Sequence, residues 1–166
     1  MDFEKILNVG LSHKYISHEN FTSSRLEDFL NWLNKEKGYL FHGSGTLIPQ
    51  GEKLISGRGI FHATDDGGVA IIKALFPNNL PGQTNLDYRL NKGNSQEVII
   101  EGKPEGEVIR QKGYIYVLEG VGFSNEDTQG VAEYIKPLSK GKEQDYLFVI
   151  EVKKRDFNYS YKVIDK

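Results

Sequence analysis

The residues best suited to chemistry fall within one stretch of the chain, Tyr39 to Phe76. His42 is followed at once by Gly43-Ser44-Gly45, Arg58 stands between Gly57 and Gly59, and Asp65 is adjacent to Asp66. An imidazole at a strand end can donate to a ribose hydroxyl. The glycine after it leaves room for a sugar or a carboxamide to reach the backbone. His42 equally fits a strand-end histidine bonded to a loop carbonyl. Arg58 has two readings as well, a phosphate contact or an exposed loop arginine. Asp65 and Asp66 have the form of an acid–base pair, but directly ahead of an apolar helical pattern they read better as a helix cap. His13, His18, His42 and His62 show no i, i+4 pairing, cysteine is absent, and no metal is expected. Gly43-Ser44-Gly45 lacks the lysine and hydroxyl of a phosphate loop, and Ser44 has no nucleophile-elbow context.

These residues need elements to hold them. Asp2 predicts a helix cap for Phe3, Ile6 and Leu7, with Gly10 ending the helix. Leu26, Phe29, Leu30 and Leu33 recur at helical spacing, with Ser23 or Ser24 as the cap and Gly38 as the stop. Tyr39 to His42 reads as a short strand stopped by Gly43, and Ile60 to Ala63 as a second. Val69, Ile71, Ile72 and Leu75 then form an apolar helix ending before Pro77. Residues 77 to 94, rich in Pro, Gly and Asn, read as a long loop. Strands are predicted at 97–100, 114–118, 133–138, 146–152 and 159–164. The stretch at 146–152 is apolar enough to lie centrally, and that at 159–164 suits a terminal edge.

Gly59-Ile60-Phe61-His62-Ala63, some twenty residues after His42-Gly43, resembles the signature of ADP-ribosyltransferases of the poly-ADP-ribose-polymerase and diphtheria-toxin type. In that family a His-Gly pair ends one strand and Gly-Ile-Tyr-Phe-Ala forms the next. The resemblance implies that His42 binds a ribose of NAD, that Gly43 meets the carboxamide through its backbone, and that Phe61 stacks on nicotinamide. Ser44 and Gly59 would line the same pocket, with Arg58 beside them. Phe61 keeps the ring of the family's tyrosine and loses its hydroxyl. The family also places a glutamate in a Glu-Tyr-Ile setting, here Glu133-Tyr134-Ile135. Such a carboxylate would be the catalytic group, stabilising positive charge on the ribose as the nicotinamide bond breaks. Glu97, Glu101 and Glu119 are weaker candidates for that role. The related removal of an RNA 2′-phosphate relies on several arginines, and this chain has only Arg25, Arg58, Arg89, Arg110 and Arg155.

Composition sets the outer limits. The chain has 166 residues, 21 Lys and Arg against 23 Asp and Glu, and a formal charge of −2. That balance gives no basic surplus for phosphate backbones, so specific nucleic-acid binding is not expected. The absence of cysteine fits a reducing compartment, and no signal-like or membrane-length apolar run is seen, so a cytoplasmic location is expected. The expected fold is a single α+β domain over 1–166. A helical segment at 1–38 precedes a sheet-rich, NAD-binding-like core at 39–166, a mostly antiparallel split sheet of ADP-ribosyltransferase type. The expected activity is transfer of ADP-ribose from NAD, as co-substrate, to an unidentified acceptor of which a macromolecule is one candidate. The alternative is a non-catalytic nucleotide- or protein-binding module on the same fold.

Overall fold

The computed structural model describes residues 2–22, 25–55, 59–90, 96–125, 133–137 and 142–165. The chain runs α1 (Phe3–His13), β1 (Tyr15–Ile16), a 3-10 turn (His18–Phe21), α2 (Leu26–Lys37), β2 (Leu40–Ser44), β3 (Leu54–Ile55), β4 (Ile60–Ala63) and α3 (Gly67–Leu75). It continues with β5 (Gln83–Leu90), β6 (Gln96–Gly102), β7 (Lys112–Leu118), β8 (Ser124–Asn125), β9 (Tyr134–Pro137), β10 (Glu143–Gln144), β11 (Phe148–Lys153), a 3-10 turn (Lys154–Asp156) and β12 (Ser160–Ile164). The class is α+β, with mostly antiparallel sheets.

Two of these sheets matter most for the site. One has the order β1-β11-β7-β2 and the other β4-β9-β8. Among the described residues one backbone bridge joins them, Phe41 to Thr64, which exchanges both backbone hydrogen bonds at 2.8 and 2.9 Å. The remaining pairs are β12-β6-β5, in which β12 runs parallel to β6, and β10-β3. Strand alternation divides the core in two. Phe41, Ile115, Val117, Phe148 and Ile150 face α1, α2 and α3 in the larger cluster. Leu40, Tyr116, Leu118 and Val149 face the other way, joined by Phe61 and Ala63 of β4.

The helices form for the reasons their sequences suggest. Asp2 caps α1 by accepting from the Glu4 N–H, and Asp66 caps α3 by accepting from the Val69 N–H at 2.9 Å. Gly38 ends α2 at φ 72°, a conformation that favours glycine. β11 lies between β1 and β7 with Phe148, Val149, Ile150 and Val152 buried, as its continuous apolar run predicts.

Three expectations are corrected. α1 does not stop at Gly10; it runs to His13, and Lys14 closes it at φ 61°. Gly10 is a packing residue, since a Cβ there would come within 2.9 Å of the Ile16 and Phe148 side chains. β2 does not stop at Gly43 but includes it and Ser44, because their partners Ile115 and Tyr114 continue the ladder. The stretch 77–94 is not all loop: β5 occupies its second half and pairs with β6. The proposed caps Ser23 and Ser24 lie outside the described residues, and α2 begins at Leu26 with Arg25 in the cap position.

Candidate functional site

The site is built where two strands part. Phe41 directs its N–H and C=O to Thr64 of the β4 side, so alternation turns the same groups of Gly43 in that direction. The next ladder step would pair Gly43 with His62. Among the described residues no such bridge forms. The His42 imidazole takes its place, its Nδ1 lying 2.9 Å from the His62 carbonyl oxygen. A carbonyl only accepts, so Nδ1 carries the proton. The peptide groups of Gly43 are left facing the gap between β2 and β4.

Burial lowers the affinity of His42 for a second proton, holding its pKa below the ordinary 6.5. Of the lesser influences, the His62 carbonyl pulls it up, while the charges of Lys73 and His62 push it further down. The ring therefore presents Nε2 as an acceptor. The sequence suggested a donor to a ribose hydroxyl; the geometry offers a lone pair, and a hydroxyl can donate to it.

Gly43 is fixed by packing as well. A Cβ there would come within 2.6 Å of the Ala70 carbonyl oxygen and the Ala74 nitrogen, both backbone atoms of α3. The space left by the missing side chain is filled by the helix. What Gly43 directs between β2 and β4 is its peptide edge, not its α-carbon. Ser44 uses its Oγ to accept from the Thr46 N–H at 3.1 Å, which shapes the turn after β2. That turn is held down by Tyr116, whose hydroxyl donates to the Thr46 carbonyl at 2.8 Å and accepts from the Ile48 N–H at 2.9 Å. Gly59 sits at φ 80°, where glycine is favoured, and leads the chain into β4. Arg58 lies outside the described residues.

Phe61 is 4% exposed. Its ring centroid is 4.6 Å from that of His42, and it meets Phe123 edge-on at 6.3 Å. It forms the wall against which His42 rests and is not an open stacking surface. Pairing of β4 with β9 puts Phe61 opposite Lys136 and Ala63 opposite Tyr134, while His62 faces Ile135. Glu133, just ahead of β9, is joined to His62: Glu133 Oε1 lies 2.6 Å from His62 Nδ1. The Tyr134 hydroxyl donates to Asp65 at 3.0 Å, which ties the start of β9 to the segment leading into α3. Asp66 is the helix cap, whereas Asp65 is engaged by Tyr134.

Contacts run in one series from Glu133 to the His62 ring, from the His62 carbonyl to His42, and from His42 to Phe61. His42, Gly43 and Phe61 adjoin one another, whereas Glu133 is joined to them only through His62, whose ring lies on the face of β4 opposite Phe61. Glu97, Glu101 and Glu119 lie at other strands: Glu97 and Glu101 pair in the β12-β6-β5 sheet, and Glu119 follows β7. The residue missed by sequence reasoning is His62. Its signal was its position in Gly-Ile-Phe-His-Ala, where the resembled family has phenylalanine. Among the described residues no group of three or more His, Cys, Asp or Glu is arranged to hold a metal ion. None of their helices is long and apolar enough to cross a membrane. No protein-family model, curated protein or solved structure matches the chain.

Proposed function

We propose that the gap between β2 and β4 is the seat of an NAD-consuming ADP-ribosyltransferase. The observation that carries this reading is the parting of the strands immediately after Phe41 and Thr64, with the His42 ring inserted and the Gly43 peptide edge directed into the gap. A backbone N–H beside a C=O, both directed between β2 and β4, matches the acceptor and donor of a carboxamide. His42 Nε2, one residue earlier, is placed to accept from a ribose hydroxyl. The pairing of the Gly-Ile-Phe strand with the Glu-Tyr-Ile strand adds support, since it ties a carboxylate to β4 through the His62 ring.

The chemistry asked of these residues is modest and electrostatic. The bond between nicotinamide nitrogen and ribose carbon breaks, its electrons leave with nicotinamide, and positive charge builds on the sugar. Glu133 is the carboxylate that would stabilise that charge, in a setting where His62 fixes its position. An acceptor nucleophile then forms the new bond at the same carbon and gives up its proton. The acceptor is unassigned, a macromolecule being one candidate.

Phe61 favours a second reading, a nucleotide-binding module without turnover. It is buried, it lacks the tyrosine hydroxyl, and it offers nicotinamide no open face. Glu133→Gln separates the two. In a transferase it removes nicotinamide release, by roughly 10²- to 10³-fold, and leaves NAD affinity nearly unchanged. Tight binding without release in the parent protein supports the module. Release that survives the substitution shows that Glu133 is not the catalytic carboxylate.

A further inference from the structure

A second cleft lies on the other face of the four-stranded sheet, bounded by the turn His18–Phe21, the start of α2 and the turn Lys154–Asp156. Its volume is about 490 Å³, within the range of small-molecule sites. Arg25, Arg155, Thr22 and the His18–Asp156 pair supply its polar lining, and Phe21 an apolar part. Phe21 and Leu26 belong to the helix-side core, whereas His42 and Phe61 sit on the opposite side of the sheet.

The arginines are set up differently from ordinary surface cations. Arg155 Nη2 lies 2.8 Å from His18 Nδ1. A guanidinium has no acceptor, so it donates and Nδ1 keeps its lone pair. The shorter contacts put the imidazole proton on Nε2, which donates to Asp156 at 2.9 Å, with Arg155 Nε 3.5 Å from the same nitrogen. His18 is 1% exposed, so the group that orients Arg155 is itself fixed. Asp156 is occupied by His18 and by the Lys153 N–H at 2.8 Å, and no carboxylate of the described residues pairs with Arg155. Arg25 reaches Glu27 only at 4.0 Å. The other Glu27 oxygen accepts from the Tyr159 hydroxyl at 2.5 Å, so that the oxygen facing Arg25 is buried without a hydrogen bond of its own. Two guanidinium groups therefore line one cleft, and among the described residues Arg155 bonds to the neutral His18 ring while Arg25 only approaches Glu27.

We propose that this cleft binds the phosphoryl dianion of a small phosphorylated molecule. Two planar forks from separate elements suit a tetrahedral oxyanion with several acceptors, and the Thr22 hydroxyl adds a neutral donor. Phe21 gives the organic part of an ester an apolar surface. The site is independent of the NAD reading.

The test is calorimetric titration of the full chain with ribose 5-phosphate and, separately, inorganic phosphate at neutral pH. Saturable binding is expected, with Arg155→Gln and Arg25→Gln each weakening it roughly tenfold or more. Arg25 is more than half exposed, so Arg25→Gln should leave the urea midpoint of the unliganded protein in place and keep the test free of folding effects. Tighter binding of the ester identifies the organic part as recognised; equal binding identifies the phosphoryl group alone. No saturable heat with either compound, or unchanged affinity in both variants, overturns the proposal.

Discussion

His62 Nδ1 lies 2.6 Å from Glu133 Oε1, so a histidine in β4 holds the carboxylate at the head of β9. A carboxylate accepts, so the shared proton sits on the imidazole nitrogen. His62 does not reach across to a ligand in this arrangement. Its ring orients Glu133 while its carbonyl orients His42, which makes it the hinge of the candidate site. Replacing His62 with Phe, the residue of the resembled family, keeps the strand and removes the ring nitrogen. Nicotinamide release should fall by roughly 10- to 100-fold, with KM for NAD changed far less, because a loosened carboxylate mispositions the charge but not the binding edge. Equal losses in kcat and in NAD affinity would point to a structural role instead.

The Gly43 position should resist the smallest substitution. A Cβ there meets backbone atoms of α3 at 2.6 Å, and backbone cannot rotate away as a side chain can. Gly43→Ala should cost about 1–3 kcal/mol in urea unfolding. Gly38→Ala is the comparison: its φ is 72°, yet nothing lies within 4 Å, so it should cost only about 1 kcal/mol. The reverse order of stabilities would contradict the packing described for β2 and α3.

His42 makes stability depend on pH in a predictable direction. Its pKa in the folded chain is below the ordinary 6.5, chiefly through burial. Between those two values the unfolded chain binds more protons, so stability rises with pH there. The contribution is complete above 6.5 and is lost as pH falls from 6.5 toward the lower folded value. Urea midpoints measured from about pH 7.5 to about pH 5 should drop less steeply in His42→Gln than in the parent chain. An identical slope would mean that His42 is not held in its neutral form.

The loop after β2 depends on one hydroxyl. Tyr116→Phe removes the bonds to Thr46 and Ile48 while keeping the ring in the core. It should cost about 1–3 kcal/mol and speed amide exchange of Ile48 in particular. Unchanged protection there would show that the turn is held by other contacts.

Much of this arrangement was legible in the sequence. The helical spacing of Leu26, Phe29, Leu30 and Leu33 and the Asp66 cap are local signals, and local signals survive folding. The run at 146–152 was apolar at nearly every position, Glu151 aside, which marks a strand covered on both faces. The junction of Phe41 with Thr64 was not legible, because a parting of strands is a matter of which ladder steps fail to form. His62 was hidden for the same reason. Its role comes from Glu133, 71 residues away, and no spacing rule links the two. β5 was masked by the Pro and Asn residues before it, and its partner β6 decides its extent.

The measurement that tests the central claim most directly is an amide-resolved titration with NAD, repeated with nicotinamide alone. The Gly43 N–H resonance and the His42 ring should shift and saturate together in both titrations, nicotinamide occupying the peptide edge between β2 and β4. Shifts confined to the Arg25 and Arg155 cleft, or none at millimolar NAD, would contradict the assignment of this gap as an NAD site.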